Sequence, residues 1–518
     1  MSNLLRAPEH LWTLLRTGAT FERTGAMREI LDAFGVHGWP RFVIRAVARP
    51  FGLVGRRGDD SLPPVARAIQ AMGPAYVKFG QILSTRRDIV GDEIVGQLRY
   101  LQDRLPPFSV EAARAEIESE FGPEIWEKIT DFGEPVAAAS IAQVHQATWA
   151  PTGEKVAVKV LRPGVRAQFS RDIGSFHFIA QTIERLVPMT RRLRPGAVVR
   201  HFESVVRAEL DLRLEAAAAS EYAEKTKSDL RLRIPSVQWE GTSRRILTLE
   251  WLEGTAMDPA ALKAGGFNLP ELASHVMRTF LRHALRDGFF HADMHQGNLR
   301  VAPNGDLIML DFGIMGRLDP ITRRHYAEIL HGFLTRNYRR VAEVHFEAGY
   351  VPADRDVEQF AQALRAIGEP IFDQDASRIS MAKVLAYLLE TTERFGMETR
   401  TELILLQRTM VVVEGVTRTL DPTANIFNAA KPIVEEYIRD HLGPAAFARD
   451  TLETLRVLSR LGPRMPGLAN ELLMLAEEAR TRRNRPPPDP TPKPRVLRWL
   501  LVGALLGVST ALLVDALI

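Results

Sequence analysis

The stretch FFHADMHQGNLRV, residues 289–301, places two histidines and an aspartate at alternate positions and then a glycine and an asparagine. Two kinds of site could use these residues. His291, Asp293 and His295 could clamp a metal ion. Alternatively, Asp293 and Asn298 could form part of a loop that works on a phosphate group. The two alternatives require different partners elsewhere in the chain.

The metal-clamp alternative finds little support in the rest of the sequence. A zinc or iron site of this kind usually needs a further group of ligands, and the chain has no HExxH motif and no second dense group of histidines and acids. It also has no cysteines, which excludes disulfides, iron–sulfur clusters and thiolate zinc sites. We therefore predict a structural role for His291 in this loop and a supporting role for His295.

Features elsewhere in the chain fit the phosphate alternative. Lys159 ends the strand-like run VAVK, and Asp311 opens a DFG tripeptide after a predicted hairpin. The intervening stretch RAELDLRLEAAAASEY favours a helix and carries Glu209 and Glu215. Each signal alone is weak, but their order along the chain, with Asp293 between the helix and the DFG, makes the joint pattern specific.

Each of these residue types has a physical use in phosphoryl transfer, where catalysis is mostly positioning and charge neutralisation. Lys159 could bridge two phosphates if a helical carboxylate fixed its ammonium, and either of the two glutamates could supply that carboxylate. Asp311 and Asn298 offer oxygen ligands, which Mg²⁺ prefers over imidazole. Asp293 could accept or orient the proton of an attacking hydroxyl.

The pattern of elements predicts an α+β chain in which a small β-rich lobe precedes a larger helical lobe. Val156–Val160 is a β-rich run after the turn PTGEK, and IPSVQWE and RRILTLEWLEG also favour strands. Asn304 and Gly305 predict a hairpin turn before the DFG. LTLEWLEG, residues 247–254, resembles a hinge whose backbone, at Leu252, would hydrogen-bond adenine.

Six segments follow from these patterns and from the termini. They are an N-terminal helical segment (1–65), a helical extension (66–120), a small lobe (121–255), a helical lobe (256–480), a proline-rich basic linker (481–498) and a transmembrane helix (499–518).

The bulk composition is that of an ordinary globular protein. The 518 residues are 46% hydrophobic and 25% charged, enough for two or more domains with a large core. The formal charge of +4 is small for this length and gives little support to a nucleic-acid partner, which would need a concentrated basic face.

The C-terminal stretch WLLVGALLGVSTALLVDALI, residues 499–518, is predicted to cross a membrane, because its length is about that needed to span ~30 Å of hydrocarbon. Basic residues in the preceding linker should stay on the cytoplasmic side of the inner membrane. We therefore expect a single-pass C-terminal anchor with the catalytic domain in the cytoplasm. Gly503 and Gly507 form a GxxxG motif through which two such helices could associate.

Taken together, the motifs resemble the protein-kinase-like fold and, more closely, its UbiB/ADCK family. The resemblance covers roughly residues 66–480. Its marks are KFGQ at 78–81, the alanine-rich AAASIAQVH at 137–145, ELD at 209–211, HADMHQGN at 291–298 and DFG at 311–313.

This resemblance implies a bilobal protein-kinase-like fold with an N-terminal helical extension, and a role for each motif. Lys159 would pair with Glu209 and bind phosphate, and Asp293 would be the catalytic-loop aspartate. Asn298 and Asp311 would hold Mg²⁺.

The nucleotide, ATP or ADP, would lie between the extension and an alanine-rich loop. In that loop Ala137, Ala138, Ala139 and Ser140 would replace a glycine-rich loop, and their Cβ atoms should change the grip on the phosphates. Lys78 and Gln81 would fold over the nucleotide, where a protein substrate would otherwise dock.

By the same resemblance, the chain is expected to be a membrane-anchored atypical kinase or ATPase that supports ubiquinone biosynthesis. Its partners would be membrane lipid, prenylated quinone precursors and other enzymes of ubiquinone biosynthesis. Two alternatives remain open, namely a small-molecule kinase of the aminoglycoside or choline type and a catalytically silent, nucleotide-binding scaffold.

Overall fold

A computed structural model describes most of the chain. The described ranges are 7–33, 55–84, 87–101, 107–186, 194–372 and 400–442, with isolated positions in the gaps between them. The described residues up to Ile438 belong to one compact unit. Within these ranges no helix is long and apolar enough to cross a membrane. The linker 481–498 and the transmembrane helix predicted at 499–518, with its GxxxG motif, lie outside the described residues.

Helices make up most of the described chain. They are α1 (Ala7–Thr24), α2 (Ala26–Ala33), α3 (Pro64–Met72), α4 (Pro74–Leu83), α5 (Arg87–Leu98), α6 (Val110–Phe121), α7 (Pro123–Trp126), α8 (Val165–Leu186), α9 (Pro195–Glu209), α10 (Leu212–Lys225), α11 (Pro259–Ala264), α12 (Leu269–Arg282), α13 (Pro320–Leu334), α14 (Tyr338–Glu347), α15 (Val357–Phe372), α16 (Thr401–Leu420) and α17 (Ile426–Leu442).

The described strands are short and fall mostly in the middle of the chain. They are β1 (Ile129–Thr130), β2 (Pro135–Ala138), β3 (Ala142–Trp149), β4 (Glu154–Leu161), β5 (Leu232–Arg233), β6 (Ile246–Glu250), β7 (Thr255–Ala256), β8 (Phe289–His291), β9 (Leu299–Val301), β10 (Leu307–Met309) and β11 (Met315–Arg317).

The small lobe is a five-stranded antiparallel sheet in the order β1-β3-β4-β6, with β2 paired to β3. Alternation along β4 buries Val156, Val158 and Val160 in one core, which also contains Trp149 and residues of α6. The opposite face of β4 carries Lys159. The predicted strand at Val156–Val160 is therefore confirmed, and its pleat places the lysine away from this core.

The N-terminal extension packs on the other side of the small lobe. Helices α3 and α4 each begin with a proline, Pro64 and Pro74, whose missing N–H is not needed at a helix start. Gly73 separates them with a φ of 109°, a conformation that favours glycine. The buried face of these helices forms one core with α5, α8 and α9, so α4 is held next to the sheet.

Helix α10 positions the first charged group of the site. Asp211 caps its N-terminus by accepting a hydrogen bond from the Arg213 N–H at 3.3 Å. Alanine-rich composition favours the helix, and its buried face contains Glu215, Ala219 and Tyr222. The glutamate therefore projects inward rather than into solvent.

The large lobe is built on a core of α12 and α16 with the short strands around the residues 289–317. β9 and β10 form the predicted hairpin, whose turn contains Gly305 with a φ of 87°. Helix α12 is followed directly by a π-helical turn at His283–Asp287.

One predicted strand is wrong. RRILTLEWLEG does contain β6, but IPSVQWE does not form a strand: Val237 makes an isolated bridge to Leu249, and Trp239–Gly241 is a 3₁₀ turn. Pro235 in this stretch lacks the N–H that a strand ladder would need.

The pairing of β8 with β11 provides a test of packing beside the site. Gly316 lies opposite Phe290, and a Cβ on that glycine would lie 2.1 Å from the Phe290 Cζ. Because this ring is fully buried, Gly316→Ala should lower the free energy of unfolding by about 1–3 kcal/mol. Gly415→Ala in α16 is the matched control, since its Cβ would meet no atom within 4 Å.

We expect the control to raise stability by about 0.5–1 kcal/mol, because alanine is the better helix former. Thermal unfolding of both variants checks the pair. Equal midpoints for the two would contradict the packing described for β8 and β11.

Candidate active site in the cleft between the lobes

An ion pair joins the two lobes. The Lys159 Nζ donates hydrogen bonds to both carboxylate oxygens of Glu215, at 2.8 and 2.9 Å. It donates a third to the Oδ2 of Asp311 at 3.2 Å. Strand β4, helix α10 and the DFG segment therefore meet at a single ammonium. Charge-assisted hydrogen bonds of this kind are stronger than neutral ones and fix geometry as well.

The pairing of Lys159 with Glu209 that the family resemblance implied is wrong. The Glu209 carboxylate accepts from the Lys78 Nζ at 2.8 Å instead, and both side chains are largely buried. Glu209 is the last residue of α9, and the chain turns at Leu210 before α10 begins, so the two glutamates lie on different helices. Glu215, the other glutamate that the sequence offered as a partner for Lys159, forms that pair.

The charges around Lys159 are unequal, with one ammonium between two carboxylates. Burial disfavours the ammonium, but the charges of Asp311 and Glu215 raise the pKa of Lys159. Burial raises the pKa of Glu215 to about 7, against the opposing effect of the lysine. Burial also acts on Asp311, but the lysine outweighs it and lowers the pKa of Asp311 to about 2. The half-exposed Asp311 thus stays ionised at the open side of the cluster.

His291 ties the catalytic-loop segment to the DFG segment. Its Nε2–H donates to the Leu310 carbonyl at 3.0 Å, and its Nδ1 accepts from the Asp293 N–H at 3.1 Å. Burial lowers the pKa of His291, which keeps the ring neutral, as this pattern requires. Both nitrogens are engaged by the backbone, so His291 cannot be a metal ligand here and the predicted structural role is confirmed.

His295 lies beside the Asp293 carboxylate. Its Nδ1 accepts from the Gly297 N–H at 3.0 Å, and its Nε2 lies 3.7 Å from the Asp293 Oδ2. A Cβ at residue 297 would lie 2.8 Å from the His295 ring, so glycine is what leaves space for this arrangement. The Asp293 carboxylate is partly exposed, and the backbone of the same residue is held by His291.

Asn298 and Asp311 present oxygens suited to a divalent cation. The Asn298 side-chain NH₂ donates to the Asp293 carbonyl at 3.0 Å, which leaves its amide oxygen as the atom available for a ligand. Asp311 adopts a φ of 59°, a left-handed conformation that aspartate tolerates better than most residues. A carboxylate and an amide next to a cluster with excess negative charge are the donor set that Mg²⁺ prefers.

Comparison with known proteins shows which family this chain resembles. A model described as the ABC1 atypical kinase-like domain matches residues 100–345, and one described as the UbiB helical domain matches residues 364–425. The chain is 38% identical over 413 residues to the probable protein kinase UbiB of Marinobacter nauticus, covering 79% of this chain and 75% of that protein. It is 39% identical over 424 residues to the probable protein kinase UbiB of Aeromonas hydrophila, covering 81% and 78% respectively.

The chain belongs to the UbiB family. The α+β fold with a small sheet lobe and a helical lobe is therefore kinase-like, as the family resemblance implied. A solved structure of an erythromycin complex from Mycobacterium tuberculosis aligns with 69% of this chain and 90% of its own at 26% identity. The TM-score of this alignment is 0.48.

The residues predicted to bind nucleotide lie in the small lobe, in the link that leaves it and in the extension. Ala137 and Ala138 end β2, and Ala139 and Ser140 form the turn into β3. Leu252 lies in the link that leaves β6 for the large lobe.

Within the extension, Gln81 lies on α4 one turn after Lys78, whose ammonium reaches the small lobe through Glu209. The structure thus pairs Lys78 with Glu209, and Lys159 with Glu215 and Asp311, while Gln81 and Leu252 are placed by their elements alone.

Sequence reasoning missed a buried polar network beneath the DFG segment. The Tyr222 hydroxyl hydrogen-bonds to the His283 Nδ1, and the His283 Nε2 bonds to the Asp229 carboxylate at 2.7 Å. The Tyr222 ring also packs 5.7 Å from that of Phe312, between centroids. The available signal was helical spacing, because Tyr222 follows Glu215 by two turns on the same face of α10.

Asp229, His283 and Asp287 have the spacing of a metal site. Arg286, however, forms ion pairs with both carboxylates, at 2.6 and 2.8 Å. Because both carboxylates already accept hydrogen bonds from one guanidinium, we interpret the group as a structural network.

The two lysine pairings can be separated by matched substitutions. Glu215→Gln should weaken ATP binding by about tenfold or more, because the Lys159 side chain loses its charged acceptor. Glu209→Gln should instead speed hydrogen exchange in α4, because the Lys78 ammonium loses the carboxylate that holds the extension.

Equilibrium nucleotide binding and hydrogen exchange on both variants provide the measurements. The pairings would be contradicted if Glu215→Gln sped exchange in α4 while Glu209→Gln left it unchanged.

Proposed function

We propose that this protein is a membrane-anchored atypical kinase or ATPase that uses Mg-ATP and supports ubiquinone biosynthesis. The observation that carries the proposal is the Lys159 ammonium shared between Glu215 and Asp311 across the cleft. That arrangement supplies a fixed cation for phosphate oxygens and, beside it, an ionised carboxylate for a metal ion.

Each residue of the site has a defined task in such a reaction. The Lys159 ammonium binds phosphate oxygens, and Glu215 keeps its side chain from swinging away. Asn298 and Asp311 would hold Mg²⁺, which supplies neutralisation of phosphate charge when it is bound. The Asp293 carboxylate accepts or orients the proton of the attacking hydroxyl or water, in an orientation that the backbone bond to His291 supports.

Two features favour a small or lipid-borne acceptor of the phosphoryl group over a protein acceptor. The Lys78–Glu209 ion pair joins the extension to the small lobe, where it would limit the access of a folded protein substrate. The apolar segment predicted at 499–518 would keep the site close to prenylated phenol precursors, which reside in the bilayer.

The relatives in Marinobacter nauticus and Aeromonas hydrophila are named probable protein kinases, which supports the kinase class.

We accordingly place the catalytic domain at the cytoplasmic face of the inner membrane. Its expected partners are membrane lipid, prenylated quinone precursors and other ubiquinone-biosynthesis enzymes. Self-association through Gly503 and Gly507 remains part of the same proposal.

The central test is ATP hydrolysis by the full-length protein in liposomes, with and without a prenylated phenol. We expect turnover that needs Mg²⁺ and is lost on chelation. Asp293→Asn and Asp311→Asn should each lower kcat by about a hundredfold or more, because the first removes a proton acceptor and the second a metal ligand. Asp306→Asn in the β9–β10 turn is the matched control and should retain wild-type turnover.

Three results would count against the proposal in different ways. Absence of Mg²⁺-dependent turnover with any lipid or phenol would refute the ATPase activity. An Asp311→Asn variant that still supported quinone synthesis in cells would favour the catalytically silent scaffold. A phosphorylated small molecule as the product would favour the aminoglycoside- or choline-type kinase.

A further inference from the structure

One arginine holds the turn that carries the alanine-rich loop. The turn closes through the Ala139 N–H, which donates to the Ala142 carbonyl at 2.8 Å. The Arg162 side chain donates from Nε and Nη2 to the Ala139 carbonyl at 3.2 and 3.0 Å, and its backbone N–H donates to Ile141 at 2.8 Å. Arg162 directly follows β4, so the strand that positions Lys159 also fixes the loop.

The same guanidinium contacts the end of the N-terminal extension. Its carbon lies 5.5 Å from the centroid of the Phe108 ring, within the range of a cation–π contact. Phe108 lies between α5 and α6, where the extension joins the small lobe. Arg162 therefore bridges the loop and the extension with a single rigid group.

The backbone of Phe108 is held by a buried side chain of β3. The Gln143 Oε1 accepts from the Phe108 N–H at 3.0 Å, and its Nε2 donates to the Phe108 carbonyl at 3.1 Å. Gln143 is 1% exposed and lies immediately after the turn. The phenylalanine is thus fixed through its ring by Arg162 and through its backbone by Gln143.

A neutral histidine sets the orientation of that glutamine. The His145 Nδ1–H donates to the Gly133 carbonyl at 2.8 Å, so its Nε2 accepts from the Gln143 Nε2 at 2.8 Å. Burial lowers the pKa of His145, which favours this neutral form. The glutamine amide therefore presents its oxygen to the Phe108 N–H and not the reverse.

We propose that Arg162 is a positioning residue for the grip of the Ala137–Ser140 loop on nucleotide phosphates, and that Phe108 transmits the position of the extension to that loop. The identity of the ligand rests on the proposed function, whereas the coupling of Phe108 to the loop does not. A shift of the extension moves Phe108, releases one side of the guanidinium and loosens the turn.

Nucleotide affinity tests the positioning role. Binding of a fluorescent ATP analogue to the full-length protein, in the presence of Mg²⁺, should weaken about tenfold in Arg162→Lys, which loses a charge-assisted hydrogen bond, and in Phe108→Ala, which loses the cation–π contact. Phe108→Tyr keeps the ring and should retain wild-type affinity. The double variant should lose little more than either single variant, because both act through one contact.

Turnover kinetics separate positioning from general damage. Arg162→Lys should raise KM for ATP about tenfold and change kcat by less than about threefold, because the residue acts on binding and not on the reacting atoms. Arg245→Lys is the matched control in the same lobe. Arg245 pairs with Glu116 and Glu120 of α6, so its substitution should lower the melting temperature without changing KM.

Hydrogen exchange tests the coupling without any nucleotide. In Phe108→Ala, the Ala139 and Arg162 amides should exchange faster than in the wild type, whereas the amides of β6 should not change. Unchanged exchange at both amides, or fully additive losses of affinity in the double variant, would overturn the proposal. If the wild type bound no nucleotide, the proposed function and the phosphate-grip part would both be refuted, and exchange would still decide the coupling.

Discussion

The site depends on one ammonium that two carboxylates share. Lys159 takes part in the small-lobe sheet through its backbone, in the α10 contact through Glu215 and in the large-lobe contact through Asp311. Buried ion pairs of this type are a poor source of net stability, because desolvation offsets most of the attraction. Their value here is geometric, since they align strand β4 with helix α10 and the DFG segment.

Neutral histidines orient the polar groups around that cluster. His291 aligns the Asp293 loop with the DFG segment, and His145 aligns the Gln143 amide. Each ring donates with one nitrogen and accepts with the other, which a protonated imidazole cannot do. Burial lowers the pKa of both histidines, so the arrangement keeps its direction across the physiological pH range.

Local patterns in the sequence predicted the fold well. β-rich composition placed Lys159 on a strand, Asn304 and Gly305 placed the hairpin, and helical composition placed α10. These features depend on residues close together in the chain, for which propensity and periodicity are informative. The family then followed from the order of motifs, and the comparisons confirmed it.

Side-chain pairings over long sequence distances were harder to predict. Glu209 and Glu215 lie in one apparently continuous helical stretch, and only the turn at Leu210 assigns the first to Lys78 and the second to Lys159. The Gln143–Phe108 contact was equally hidden, because its partners belong to separate elements with no shared period. Such pairings depend on how helices and strands are packed, which periodicity does not encode.

Helix α10 makes contacts at two points on the same face. Glu215 contacts Lys159 in the first turn of the helix, and Tyr222 contacts His283 and the ring of Phe312 two turns further along. Rotating the helix about its axis would break both contacts together. The orientation of α10 therefore couples the Lys159 ion pair to the aromatic packing beneath the DFG segment.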